Sequence, residues 1–365
     1  MNRILCVIES LGSGGAERQL TGLAVMLKQQ GYDVQVWYYL KSEFYLPFLR
    51  ENGVETRFIN DGLSSVKRLF KLWGVIRRLG PDAVVSYTAS SSMIICVLRL
   101  LGVKYRAIVS ERSTTQVLDR YERIRFLLYR WADVIVPNSY SQAKFISDNF
   151  PRLSAKTNVI TNFVDTDYFM PLENASTQNH KVRILCVGRL SEEKNVMGFL
   201  GAVRLMKSKK MPVEIRWYGN QRSDYGEMCL GKVREWGIED VIEFYAETKD
   251  IREKYNEADM LCLPSFYEGF PNVICEAMSC GLPIVCSRVC DNPRIVKEGE
   301  NGFLFNPTYV DEIVDCIERY IALGEEAKAR MKALNRQRAV DMFSKKRFVE
   351  RYMAVINGEE RYGTE

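Results

Sequence analysis

Histidine is almost missing from this chain: one residue, His180, among 365. A lone imidazole at that position leaves no histidine general base in residues 1–170. It also leaves none beside the cysteines to complete a zinc site. Four cysteines (Cys275, Cys280, Cys286, Cys290) crowd together, but no C-x2-C pair occurs among the ten. Irregular spacing inside apolar runs, as at Cys6, Cys96, Cys186 and Cys262, points to reduced core thiols and excludes a disulfide framework. Long apolar runs are missing as well. The longest, Met93–Leu101, contains Arg99 and reaches about half a bilayer span, so it is read as a buried helix. A strand expected from Arg3 leaves no room for a secretory signal, and a cytosolic setting is expected.

What is present is a globular composition, 47% apolar and 27% charged, long enough for two domains. The net charge of +5 is uneven: residues 1–160 carry +9 and the remainder −4. A basic first half favours an anionic surface. Two segments concentrate that charge. In Ser64–Gly80, apolar Val66, Leu69, Phe70, Trp73, Ile76 and Leu79 recur at helical spacing among Lys67, Arg68, Lys71, Arg77 and Arg78. In Gln116–Trp131, Arg120, Arg123, Arg125 and Arg130 accompany Leu118, Tyr121, Ile124, Leu128 and Trp131. Either these are surface helices packed by apolar stripes, or they form a basic amphipathic surface that meets anionic lipid. No nucleic-acid motif accompanies the charge.

Apolar runs at Ile4–Ile8, Val34–Tyr39, Thr56–Ile59, Ala83–Tyr87, Ala107–Ser110, Val134–Pro137 and Asn158–Ile160 predict strands, with helical patterns between most of them. This alternation is that of a doubly wound parallel sheet. A polar stretch, 171–181, separates it from a second alternating segment with strands at Ile184–Gly188, Glu214–Tyr218, Ile242–Tyr245, Met260–Leu263 and Ile284–Ser287. Arg3-Ile-Leu-Cys-Val7 recurs letter for letter as Arg183-Ile-Leu-Cys-Val187. The expected layout is therefore an α/β chain of two Rossmann-like domains facing a central cleft. Domain 1 spans residues 1–170, a linker 171–181, domain 2 residues 182–340, and a helix docked on the body 341–365.

Three stretches carry chemistry. The first loop, Gly12-Ser-Gly-Gly-Ala-Glu17, leads into a helix that stops at Gly31, but Glu17 stands where a dinucleotide fingerprint needs glycine. Backbone donors at Gly14 and Gly15 still suit an anion. After the linker, Arg189 and Lys194 flank the loop following a strand, where two cations can clamp a diphosphate. In Pro264–Gly281 an apolar strand leads to a loop with Glu268 and then a helix with Glu276, Pro271 being expected in its first turn. Both carboxylates are then at a carboxyl-end crevice. The amides of Gly269, Phe270, Asn272 and Val273 cluster at the helix start, suited to phosphate or a sugar hydroxyl.

Taken together, G-G-A-E, G-R-L-x-x-x-K and E-G-F-P-N-x-x-x-E resemble the motifs of family 4 retaining glycosyltransferases of GT-B fold, in that family's order and over essentially the whole chain. Asn162-Phe-Val-Asp165 is similar to the family's N-x-V-D segment, so Asp165 and Asp167 are not read as a metal motif. The resemblance implies that Arg189 and Lys194 hold the donor diphosphate and Glu276 the ribose hydroxyls. It places Glu268 and the nearby amides on the transferred sugar, with the Gly14-Gly15 loop completing the site. Many relatives carry a first-domain histidine where this chain reads Ser110-Glu-Arg-Ser113, so Glu111 or Arg112 is expected to orient sugar or acceptor. The implied reaction is metal-independent, cofactor-free, retaining transfer from a UDP- or GDP-sugar to a glycan or polyprenyl-linked acceptor. It is expected to take place peripherally at the anionic inner face of a bacterial membrane, in capsule, O-antigen or related synthesis. A catalytically silent glycan-binding subunit is the alternative from another class; a nucleotide-sugar epimerase of the same fold is the competing enzyme.

Overall fold

A run such as Ile4-Leu-Cys-Val-Ile8 has no polar face to offer water, so it needs a strand covered on both sides. The computed structural model describes residues 3–59, 65–172 and 181–359 and meets that need twice. Ser64, Asn174 and His180 lie outside the described residues, as do the side chains of Val66 and Arg68. The first sheet contains β1 (Arg3–Ile8), β2 (Asp33–Tyr38), β3 (Glu55–Phe58), β4 (Ala83–Tyr87), β5 (Arg106–Glu111) and β6 (Val134–Pro137). Its order is β3-β2-β1-β4-β5-β6, every pair parallel. The second contains β7 (Val182–Val187), β8 (Val213–Tyr218), β9 (Ile242–Tyr245), β10 (Met260–Leu263), β11 (Ile284–Ser287) and β12 (Gly302–Phe305). Its order, β12-β11-β10-β7-β8-β9, is the same pattern counted from its own first strand. Each sheet therefore reverses direction of winding once, between β1 and β4 and between β7 and β10, which is where doubly wound sheets open a crevice.

The repeated pentapeptide occupies equivalent central strands, and its residues do equivalent work. Ile4 and Cys6 face one apolar layer while Leu5 and Val7 face the other, and Ile184 and Cys186 oppose Leu185 in the same way. The arginines anchor the strand starts. The Arg3 amide donates to Asp82 Oδ2 at 3.0 Å, and the Arg183 amide to Asp259 Oδ2 at 2.8 Å. Each aspartate immediately precedes the neighbouring strand, β4 or β10.

The chain divides into one compact unit of Met1–Phe163 with Lys345–Glu365, and a second of Val164–Ser344. The divide falls earlier than the polar stretch 171–181, inside Asn162-Phe-Val-Asp165. Gln19 exchanges two 2.9 Å hydrogen bonds with the Phe163 backbone in the first unit, whereas the Val164 amide donates to Phe343 O in the second. The last helix, Lys345–Asn357, belongs to the first unit because Phe348, Val349, Tyr352, Val355 and Ile356 are buried in the layer containing Ile4, Cys6 and Ile8. Phe343, inside the 341–365 span expected for that helix, instead packs its ring 5.9 Å from Phe270 in the second unit.

Two strand expectations change. Asn158–Ile160 runs beside β6 through hydrogen bonds from Asn158 and Ile160 to Ile135 and Pro137, but only Thr157 forms a bridge, so no seventh strand exists there. β12 was hidden in a glycine-rich stretch. Gly302 is needed at its first position because a Cβ there would lie 2.0 Å from the Ile284 carbonyl. All ten cysteines are free thiols, nine of them buried, as core cysteines of a reduced chain are. Among the described residues no helix is long and apolar enough to cross a membrane.

Candidate active site

At the switch point of the second sheet, the loop after β7 and the loop after β10 are joined by charge. Lys194 Nζ lies 2.7 Å from Glu268 Oε1, with side chains only 19% and 9% exposed. Ser265 donates to the same oxygen at 2.6 Å, so Glu268 is held from two sides. The loop geometry behind this contact rests on residues with no motif of their own. Asn195 adopts a left-handed conformation, φ 53°, which asparagine tolerates better than most residues. Its side chain donates to the carbonyls of Pro264 and Pro307, at 3.1 and 2.8 Å, pinning the loop after β7 to the segments that follow β10 and β12. Gly219 fits under Gly188 only because it lacks a Cβ, which would meet the Gly188 carbonyl at 2.0 Å. Cys290, also left-handed at φ 47°, accepts the Glu268 amide on its sulfur at 3.4 Å.

Arg189 stands on the same loop as Lys194 but in water, 69% exposed, with Glu193 Oε1 accepting from its Nε and Nη2 at 2.9 and 2.6 Å. Glu193 was not among the expected site residues. Burial would raise its carboxyl, but its own backbone amide, the Ser191 hydroxyl and Arg189 outweigh that and hold it below the ordinary range.

The helix after β10 runs Asn272–Ser279, with Pro271 one place earlier than expected, at the cap. The reason is local: the Asn272 amide turns back to Phe270 O at 2.9 Å, and Ile274 is the first amide to bond Pro271 O. The amides of Gly269, Phe270 and Val273 have no backbone partner among the described residues, whereas that of Asn272 is used. Glu276 lies one turn into this helix, 6% exposed, and accepts the Tyr255 hydroxyl at 3.1 Å. Tyr255 is itself fully buried, so it fixes the carboxylate's orientation.

In the first unit the glycine loop caps the helix Gly15–Gln29, with Gly14 at the cap and its carbonyl bonded by the Arg18 amide at 3.0 Å. Glu17 folds back over this loop. Its carboxylate accepts Ser10 Oγ at 3.0 Å and lies 2.3 Å from where a Gly14 Cβ would be. A Cβ there would push the Glu17 carboxylate aside, and any anion at the loop must displace or adjoin that carboxylate.

Glu111 and Arg112, expected to orient sugar or acceptor, are both engaged by neighbours in the first unit. Glu111 is 1% exposed and accepts Arg125 Nη1 at 2.7 Å and the Tyr129 hydroxyl. Burial pushes its carboxyl up, and Arg125 and Tyr129 offset part of that. Any effect of Glu111 on a ligand therefore passes through its neighbours. Arg112 stacks 4.3 Å from the Tyr87 ring centroid, and bonds Asn162 Oδ1 at 2.9 Å and the hydroxyls of Tyr87 and Tyr352. It ties the end of β5 to the last helix and to the Asn162 segment.

Comparison with known proteins agrees with this geometry. The profile described as Glycosyltransferase Family 4 matches residues 13–168, and Glycosyl transferases group 1 matches 181–322. An uncharacterized glycosyltransferase of Haemophilus influenzae is 26% identical over 332 residues, 88% of this chain and 91% of that one. In Campylobacter jejuni, the α-1,4-N-acetyl-D-galactosaminyltransferase named for GalNAc-α-(1→4)-GalNAc-α-(1→3)-diNAcBac-PP-undecaprenol is 25% identical over 342 residues, 89% of this chain and 90% of that one. The crystal structure of Anabaena Alr3699/HepE in complex with UDP superimposes with a TM-score of 0.87 at 18% identity, covering 98% of this chain and 100% of that one, a likeness of fold. With both halves matched and the same doubly wound sheet in each, this protein belongs to glycosyltransferase family 4 and is a GT-B glycosyltransferase.

Proposed function

We propose that the protein transfers a sugar from a UDP- or GDP-sugar to a lipid-linked or glycan acceptor, with retention of anomeric configuration and without a divalent metal. The observation that carries this reading is the Lys194–Glu268 pair at the switch point, with Arg189 on the same loop. Cleaving a glycosyl–phosphate bond leaves a diphosphate whose growing charge must be met. Two cations, one enclosed and one open to water, and the amides of Gly269, Phe270 and Val273 can meet it without Mg²⁺. Glu268, held by Ser265 and Lys194, is the carboxylate available to an oxocarbenium-like sugar. Glu276, aimed by Tyr255, takes the ribose hydroxyls. No histidine base serves the acceptor, so the leaving diphosphate accepts the acceptor's proton on the face where attack occurs.

The acceptor and the membrane follow from the first unit. The C. jejuni relative is named for a PP-undecaprenol-linked glycan, and residues 1–160 carry +9. The two basic helices differ in what they show to water. Ser65–Leu79 buries Leu72 and Ile76 and exposes Phe70 beside Lys67 and Lys71, whereas Arg120–Leu128 buries Phe126 and exposes three apolar side chains, Tyr121, Ile124 and Leu127, beside Arg120 and Arg123. The second is the one suited to an anionic bilayer.

The test is calorimetric titration of UDP-, GDP- and ADP-sugars in EDTA, followed by NMR of the anomeric proton in the product. One donor binding and turning over in EDTA with retained configuration is expected. Binding that needs a divalent ion, or an inverted product, would overturn the respective part. Flotation with liposomes should favour anionic lipid, and equal recovery on neutral vesicles would remove the membrane step.

A further inference from the structure

Both cations at the edge of the second sheet are engaged by carboxylates, but in unlike settings. Lys194 and Glu268 are largely enclosed, and Ser265 shares the contact. The Arg189 guanidinium is out in water, and among the described residues Glu193 is its only side-chain partner. Glu193 is not free to follow it. Its backbone carbonyl accepts the Phe266 amide at 2.9 Å, which fixes it to the loop that carries Glu268. A solvent-exposed cation is thus paired with a largely enclosed carboxylate whose backbone is pinned, at the mouth of the proposed phosphate site.

We infer that Glu193 is a positioning residue that sets how tightly the nucleoside diphosphate is held: it keeps Arg189 at the site when no diphosphate is bound, and competes with the diphosphate for it afterwards. The inference rests on the proposed role of Arg189 toward the donor diphosphate. The competition matters most after transfer. Once the proton taken from the acceptor passes to solvent, the freed nucleoside diphosphate carries a negative charge that the sugar had masked, so it draws Arg189 harder than the donor does. A carboxylate fixed beside Arg189 opposes that and speeds release. Glu193 touches neither sugar nor acceptor in this scheme; it acts through Arg189.

Glu193→Gln keeps the shape and an acceptor oxygen but removes the charge. Titrating UDP and GDP into the full chain should show one of them bound about fivefold more tightly by the variant, the scale of an exposed ion pair. KM for the donor and kcat should fall together, as expected when product leaves slowly. In an Arg189→Ala background, which should itself weaken binding, the same substitution should have no effect. A merely structural role for Glu193 predicts weaker binding, with or without Arg189. If Glu193→Gln binds no tighter while Arg189→Ala weakens binding, the competition is refuted and the diphosphate reading stands. If Arg189→Ala changes nothing, or neither nucleotide binds, the diphosphate reading fails and the inference with it.

Discussion

The two sheets share strand order and an opening pentapeptide, yet they treat charge at their carboxyl edges in opposite ways. In the second unit, Arg189 is paired on a loop in open water, and Lys194 is paired with Glu268 at 19% and 9% exposure. In the first unit, Glu111 and Arg125 are 1% and 4% exposed, and Arg112 is stacked on tyrosine. One edge keeps its ions partly open to water and the other locks them into the core. Duplicating a fold duplicates the crevice but not its use: the chemistry follows the side chains each edge leaves accessible.

The most severe way to break the contrast is to unlock the first edge. Arg125→Met should cost about 3–5 kcal/mol in denaturant unfolding at neutral pH, because Glu111 loses its buried cation. Burial already lifts Glu111 above its ordinary 4.5. A carboxyl raised in the folded state contributes stability below its unfolded value and loses it as pH rises through the folded one. The variant's deficit should therefore shrink on acidification from neutrality toward pH ~5, and a deficit independent of pH would show that Glu111 is not the group left stranded. Acting on the second edge instead, Lys194→Ala should lower kcat/KM about 10²–10³-fold with little change in unfolding midpoint. Equal losses of stability and rate would erase the distinction between the edges. Glu276→Ala should weaken donor binding roughly tenfold or more, as loss of a charged hydrogen bond does, while leaving binding of free sugar unaltered in calorimetry. The smallest effect belongs to Thr88, which follows β4 at the first switch point with φ 78° and ψ 151°, a region otherwise left to glycine. Thr88→Gly should stabilise the chain by about 1 kcal/mol; a loss would mean that Thr88 contributes contacts worth more than its strain.

Much of this was legible in the residues. Strands announced themselves as short apolar runs, and the loops after β7 and β10 were placed correctly because a strand, a loop and a helix followed in order. What stayed hidden depends on partners distant in sequence. Nothing in Glu111-Arg112 tells that Arg125, a helix turn beyond a loop, will draw Glu111 inward. Asn195 and Cys290 hold the site through left-handed backbones that no spacing rule marks. Glu193, between Glu192 and Lys194, looks like one more solvated acid until Arg189 is seen folded onto it. Pro271 moved by one place because the Asn272 amide found Phe270 instead of starting the helix a residue earlier.

The chain crosses between units twice, at Phe163–Val164 and at Ser344–Lys345, so the second unit is an uninterrupted segment while the first is closed by the last helix. During synthesis the order of completion is therefore reversed with respect to the order of translation. The second unit can finish once residue 344 has left the ribosome, while the layer around Ile4, Cys6 and Ile8 waits for Phe348 and Tyr352. A premature stop after Ser344 would spare the second sheet and leave the amino-terminal one uncovered, so a lesion at one end of the gene would surface as misfolding at the other.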